Sequence, residues 1–190
     1  MGILRMLLLL AILLCGAMYT AFKQPILKMQ DIIKDLCSGL KMREEVMSGL
    51  LNIVKSVSDE EYVYLNNKLS IYDELHKITN DRDKVDFDEQ MDDIVVSFLT
   101  IEDRQPLLME NFKYIELMLQ YKGLETRIIN IRFKYNGFVR KYNIRRESAL
   151  SKFFLKIYKF KEEKEIYISE PIKDILTRVQ TDCEEVACEG

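Results

Sequence analysis

An all-α fold is predicted, with one N-terminal transmembrane helix followed by an elongated antiparallel helical bundle of about four helices. Three observations predict it. Residues 6–22 carry no charge and are dominated by Leu, Ile, Met and Ala. Only three prolines and seven glycines interrupt a chain rich in Leu, Ile, Lys and Glu, and few breakers favour long helices. Apolar residues then recur at helical spacing along most of the remaining sequence.

The apolar segment comes first. Its length of about 25 Å, at about 1.5 Å per residue, is near the lower limit for a membrane span. Arg5 and Lys23 flank it and can reach the interface with their charged ends. A cleaved signal peptide is the competing reading, with Cys15-Gly16-Ala17 as a tolerable small-residue cleavage site. Leu14 stands where a lipoprotein signal needs a small residue. The uncleaved anchor is the favoured reading. Lys23, Lys28, Lys34 and Lys41 follow the span, a bias that places the body in the cytoplasm.

After the span, Pro25 suits the first turn of a restarting helix. Ile26, Met29, Ile32, Ile33 and Leu36 continue at helical spacing, and Ser38-Gly39 marks a bend or slight break. Leu40, Val46, Met47, Leu50, Leu51, Val54 and Val57 form the next stripe. Ser58 followed by Glu61 reads as a capping box, so a new helix is expected there, continued by Val63, Leu65, Leu69, Tyr72, Leu75 and Ile78.

Residues 79–88 are polar and rich in Asp, and are expected to form a solvated loop. They lack the glycine and terminal Glu of a calcium loop. Met91, Ile94, Val95, Phe98 and Ile101 then make an amphipathic helix, and Pro106 ends it or starts the next.

The strongest periodic segment runs over residues 107–142. Leu108, Phe112, Ile115, Met118 and Leu119 lead into Leu124, Ile128, Ile131, Tyr135, Phe138 and Tyr142, the last six at heptad-like spacing. Only companion helices of similar length can cover such a stripe. Ala149, Leu150, Phe153, Phe154, Ile157, Tyr158 and Phe160 form a short apolar helix. Another is expected over residues 172–179, before a disordered acidic end. The organisation is thus a transmembrane helix at 3–22, a helical bundle at 26–168 and an acidic tail at 169–190.

Net charge is −3, but it is unevenly spread. Residues 56–112 hold 15 acidic against 5 basic side chains, and residues 113–160 hold 3 against 12. Pairing of these blocks inside one bundle is the plain reading. The alternative is contact of the basic 113–160 segment with anionic lipid. An acidic pI near 5.4 and the lack of a recognition motif speak against nucleic acid. Cys15, Cys37, Cys183 and Cys188 match no zinc or redox spacing and read as free thiols.

One set of residues carries a resemblance. Glu102, Pro106-Leu107, Glu110-Asn111-Phe112 and Leu119 are followed by Glu125-Thr126-Arg127-Ile128, Arg132, Tyr135-Asn136, Val139 and Tyr142-Asn143. Leu40, Arg43, Leu50, Val54 and Lys55 form a second set. Together these resemble the LemA family over residues 1–168. The chain has Ser48 where the family usually has Pro, and Lys23-Gln24 where it usually has Tyr-Asn. Arg145-Arg146-Glu147 replaces a common Pro. The resemblance implies a bacterial single-pass protein with a cytoplasmic helical bundle and no established catalysis. It singles out Arg43, Glu125, Arg127, Arg132, Tyr135, Asn136, Tyr142 and Asn143 as family-motif or interaction candidates.

Tyr135 and Tyr142 lie seven apart and share a helix face, with Asn136 and Asn143 on an adjoining one. Their rings are expected to pack while hydroxyls and amides satisfy buried groups. Glu125, Arg127 and Arg132 are expected to form exposed ion pairs of about 0–1 kcal/mol each. His76 is the single histidine and reads as solvated; a Cys37–His76 pair has no support. No nucleophile elbow or phosphate loop is present. The expected function is a membrane-anchored scaffold or interaction module in the bacterial cell membrane. Its partners are lipid, through the N-terminal helix, and an unknown protein. No catalysis, cofactor or metal is expected. The alternative is a membrane-associated enzyme using a carboxylate or the Cys37 thiol.

Overall fold

The computed structural model describes residues 2–70, 77–170, 172 and 174. Its α-helices are α1 (Gly2–Val57), α2 (Asp59–Leu69), α3 (Asp81–Asp88), α4 (Asp92–Leu99), α5 (Ile101–Arg104), α6 (Phe112–Glu147) and α7 (Ala149–Tyr158). Short 3-10 turns occupy Glu89–Met91 and Pro106–Glu110. No strand occurs among the described residues, so the all-α class is correct. There are more helices than the four expected, because residues 81–110 divide into short pieces. Tyr72, Leu75, His76, Cys183, Cys188 and the helix expected over 172–179 lie outside the described residues, apart from Ile172 and Asp174. The side chains of Ala149, Leu150 and Phe153 lie outside them as well.

The chain forms two compact units. One contains Met1–Ile32 and Phe133–Glu165. The other contains Ile33–Arg132 and the segment from Ile166 onward. Both long helices contribute to each unit.

Helix α1 runs without interruption, which corrects two expectations. Ser38-Gly39 makes no break. A Cβ added at Gly39 would lie 3.3 Å from Ile128 Cγ1, and one at Gly49 would lie 3.2 Å from Leu117 Cδ1. The missing side chains let α6 approach closely. Ten residues forward on α1 match eleven backward on α6, so the two are antiparallel in this unit.

Pro25 also sits inside α1 rather than at a new start. A proline in a helix leaves the carbonyl four residues earlier without its amide donor. That carbonyl belongs to Ala21, and Arg145 Nη1 donates to it at 2.8 Å. A guanidinium from α6 thus replaces the hydrogen bond that the proline removes.

In α6 the predicted stripe is right at Met118, Ile128, Ile131, Tyr135 and Tyr142, which are buried, and wrong at Phe112 and Leu119. Tyr114, Met118, Tyr121, Glu125, Ile128, Arg132, Tyr135, Val139 and Tyr142 are buried, at alternating spacings of four and three. Phe112 is 90% exposed, and Leu119 is exposed too. The stripe left out Glu125 and Arg132 because both buried positions are charged.

Residues 79–88 are not a loop. Asn80 Oδ1 accepts from the Arg82 amide at 2.9 Å and caps α3. Asp81 and Asp83 occupy its first turn, where negative charge favours the helix. Val85 and Asp88, one turn apart, turn inward. Ser58 caps α2 as predicted, accepting from the Glu61 amide at 3.3 Å.

The core of the unit containing Ile33–Arg132 is built from Met47, Leu50 and Val54 of α1, Phe98 of α4, and Met118 and Tyr121 of α6. Leu50→Ala should therefore lower unfolding free energy by about 2–5 kcal/mol. Phe112→Ala should stay within about 0.5 kcal/mol of the parent. Urea unfolding followed by circular dichroism measures both.

Candidate functional site: a buried arginine–carboxylate cluster

Four charged side chains meet in the core of the unit containing Ile33–Arg132. Arg43 comes from α1, Asp88 from the end of α3, and Glu125 and Arg132 from α6. None is more than 2% exposed. Asp88 bridges the arginines: Oδ1 accepts from Arg43 Nη2 and Oδ2 from Arg132 Nη2. Glu125 Oε1 lies 3.6 Å from Arg43 Nη1. Asp92, in the first turn of α4, stands 3.8 Å from Arg132 Nη1. Arg132 also reaches the Tyr167 carbonyl at 3.5 Å, and Glu89 accepts from the Tyr167 amide at 2.8 Å.

Such burial costs several kcal/mol of desolvation per ion, which only good pairing offsets. Asp88 takes the close hydrogen bonds from both arginines, leaving Glu125 with a longer contact. Burial pushes the Glu125 carboxyl above the usual range, against the opposing pull of Arg43. Burial raises Asp92 as well, opposed by Arg132 and by a hydrogen bond with Ser169. The chemistry of the cluster is to fix α1, α3, α4 and α6 in one register.

Arg132 therefore pairs with the acidic helices opposite, through Asp88 and Asp92, and Glu125 pairs with Arg43 instead; both are buried rather than exposed, because they occupy seam positions. Arg127 does lie at the surface, with Nη2 2.7 Å from Asp35 Oδ1. Asp88 and Asp92 were missed. Asp88 stood in a run of similar aspartates, and only its spacing of three from Val85 hinted at an inward face. The demand of two core arginines for a counter-charge was the second available signal.

Tyr135, Asn136, Tyr142 and Asn143 lie in the other unit. Tyr135 and Asn136 are buried. The Tyr142 hydroxyl donates to the Lys161 carbonyl at 2.8 Å, and its ring meets Phe22 edge-on at 6.0 Å. Asn143 Nδ2 donates to the Glu163 carbonyl at 2.8 Å, and Oδ1 accepts from the Glu163 amide at 3.3 Å. The side-chain amide thus pairs with both backbone groups of one residue and ties down the non-helical chain after α7. Lys159, at φ 54°, ends that helix in the left-handed region.

Cys37 donates through Sγ to the Asp81 carbonyl at 3.6 Å. Burial pushes its thiol up to about 11, so it is protonated at neutral pH, the reverse of an activated nucleophile. No group of metal-ligating side chains occurs among the described residues.

These features define a class: a helical protein with an apolar N-terminal helix and a charged cluster sealed in its core. The chain belongs to the LemA family, whose sequence profile matches residues 33–179. That match begins after the apolar segment and extends beyond the 1–168 of the sequence resemblance. Membership and the apolar helix are compatible with a membrane-anchored protein. No curated protein and no solved structure matches the chain.

Asp88→Asn leaves two buried guanidiniums short of their shared acceptor and should cost about 3–5 kcal/mol. Glu125 holds its proton more tightly folded than unfolded. Its contribution to stability therefore falls as pH rises from the usual carboxylate range through the raised folded value. Glu125→Gln should remove that part of the slope, leaving stability at pH 8 closer to that at pH 5 than in the parent. Denaturant titrations of the three chains at both pH values measure these effects. Asn143→Leu should lose about 1 kcal/mol for each of its two hydrogen bonds. Hydrogen exchange at the Glu163 amide should quicken accordingly.

Proposed function

We propose that this LemA-family chain is a single-pass membrane-anchored interaction module of the bacterial cell membrane. In this reading its helical body lies in the cytoplasm and performs no catalysis. The exposure of the N-terminal apolar residues carries the proposal. The large apolar side chains from Ile3 to Leu14 are 54–78% exposed, whereas apolar positions later in α1, such as Leu36, Met47 and Leu50, are buried. A stripe of that size open to water costs about 25 cal/mol per Å² of apolar surface, a cost that lipid removes. The lysines following the span favour a cytoplasmic body.

Two observations favour interaction over chemistry. The charged cluster is closed, and its titratable groups are committed to holding helices. Apolar side chains are left outside at the entry to α6, where Leu107, Met109, Phe112 and Leu119 are exposed. Exposed apolar side chains this close in sequence support a docking surface for another protein.

A reporter fused at the C-terminus should register the cytoplasmic side. Solubilisation in mild detergent should recover a stoichiometric protein partner, lost on Phe112→Asp with Leu119→Asp. A partner-free monomer under several extraction conditions, or a reporter active only outside the cytoplasm, would overturn the reading.

A further inference from the structure

The unit containing Met1–Ile32 and Phe133–Glu165 holds a cleft of about 430 Å³ between α1 and the C-terminal part of α6. It begins inside the apolar segment and ends beyond it. Ala17, Pro25 and Phe138 form its apolar wall, and Lys28, Lys141 and Arg145 supply its charge. No Asp or Glu lines it.

The three cations differ from their neighbours. On the same stretch of α6, Arg140 pairs with Glu165 at 3.2 Å and Arg146 with Glu162 at 3.5 Å. Lys28, Lys141 and Arg145 form no ion pair among the described residues. Arg145 is positioned by its bond to the Ala21 carbonyl, which uses one of five guanidinium donors. Unpaired charges of one sign, held around a concave site, call for an anion.

The level of the cleft along α1 says which anion. Residues 17–28 straddle the end of the apolar stretch, about 16 Å of helix at about 1.5 Å per residue. Aromatic rings gather at this level: Tyr19 lies 5.4 Å from Tyr158 and 5.8 Å from Phe160, and Phe22 stacks on Phe160 at 5.7 Å. Tyrosines of this kind concentrate where hydrocarbon gives way to headgroups. An apolar wall continuous with an exposed Leu-rich helix suits an acyl chain, and a basic rim beyond it suits a phosphate.

We infer that this cleft binds the anionic headgroup of a membrane phospholipid, with Lys28, Lys141 and Arg145 contacting the phosphate. The inference rests on the anchored reading above and adds a defined lipid site to it. Basic pockets at the cytoplasmic end of membrane helices hold headgroups by this chemistry.

The test uses the full chain in neutral detergent, titrated with phosphatidylglycerol and with phosphatidylcholine of identical acyl chains. Native mass spectrometry reads the bound lipid. Phosphatidylglycerol should be retained preferentially. Lys28→Gln with Lys141→Gln should weaken it roughly 30-fold, from about 1 kcal/mol per cation, and weaken phosphatidylcholine much less, because its choline cation already offsets the phosphate charge. Both lysines are exposed, so the fold does not depend on them. Arg140→Gln, which removes an already paired charge, should leave the preference intact, and added inorganic phosphate should not displace the lipid. Equal retention of the two lipids, an equal loss in Arg140→Gln, or displacement by inorganic phosphate would overturn the inference. Headgroup preference is read without reference to sidedness or protein partner, so failure here leaves those results standing.

Discussion

The bridge from Asp88 to Arg43 and Arg132 is the constraint on which the core of its unit depends. Apolar cores tolerate volume-conserving exchange of side chains and lose uniqueness before they lose stability. A carboxylate shared by two guanidiniums allows no such exchange. Sliding α1 or α6 by one turn would strand at least one charge in a medium that cannot solvate it. Register is therefore held by the charges together with the close fits at Gly39 and Gly49, and the surrounding Leu, Met and Phe side chains fill the remaining space.

The same logic explains what could be read from the sequence. The all-α class, the apolar segment, the Ser58 cap and the family were legible, because each is a local or periodic signal. The charged members of the α6 seam were not. A stripe drawn through apolar residues passes over Glu125 and Arg132 and lands on Phe112 and Leu119. The true seam admits those charges because Asp88 meets Arg132 there and Arg43 meets both carboxylates. Only the three-dimensional pairing makes a charged residue a core residue, and no window of sequence contains all the partners.

Helix α1 shows the converse. Pro25 and Gly39 are breakers by propensity, yet neither breaks the helix. Tertiary neighbours decide: Arg145 supplies a donor where proline lacks one, and Ile128 of α6 needs the space that glycine leaves. The family motif pointed to Arg43, Glu125 and Arg132 without giving their roles, and it passed over Asp88. A motif records which residues matter; burial and pairing say why.

The proline turn in α1 also bears on biosynthesis. Its substitute donor, Arg145, lies 124 residues downstream. At about 5–20 residues per second, roughly 6–25 s of translation separate the emergence of Ala21 from that of Arg145. Throughout that interval the nascent helix carries a weakened turn beside its most apolar stretch. Until Arg145 has been made, the turn at Pro25 lacks the donor that completes it in the folded chain.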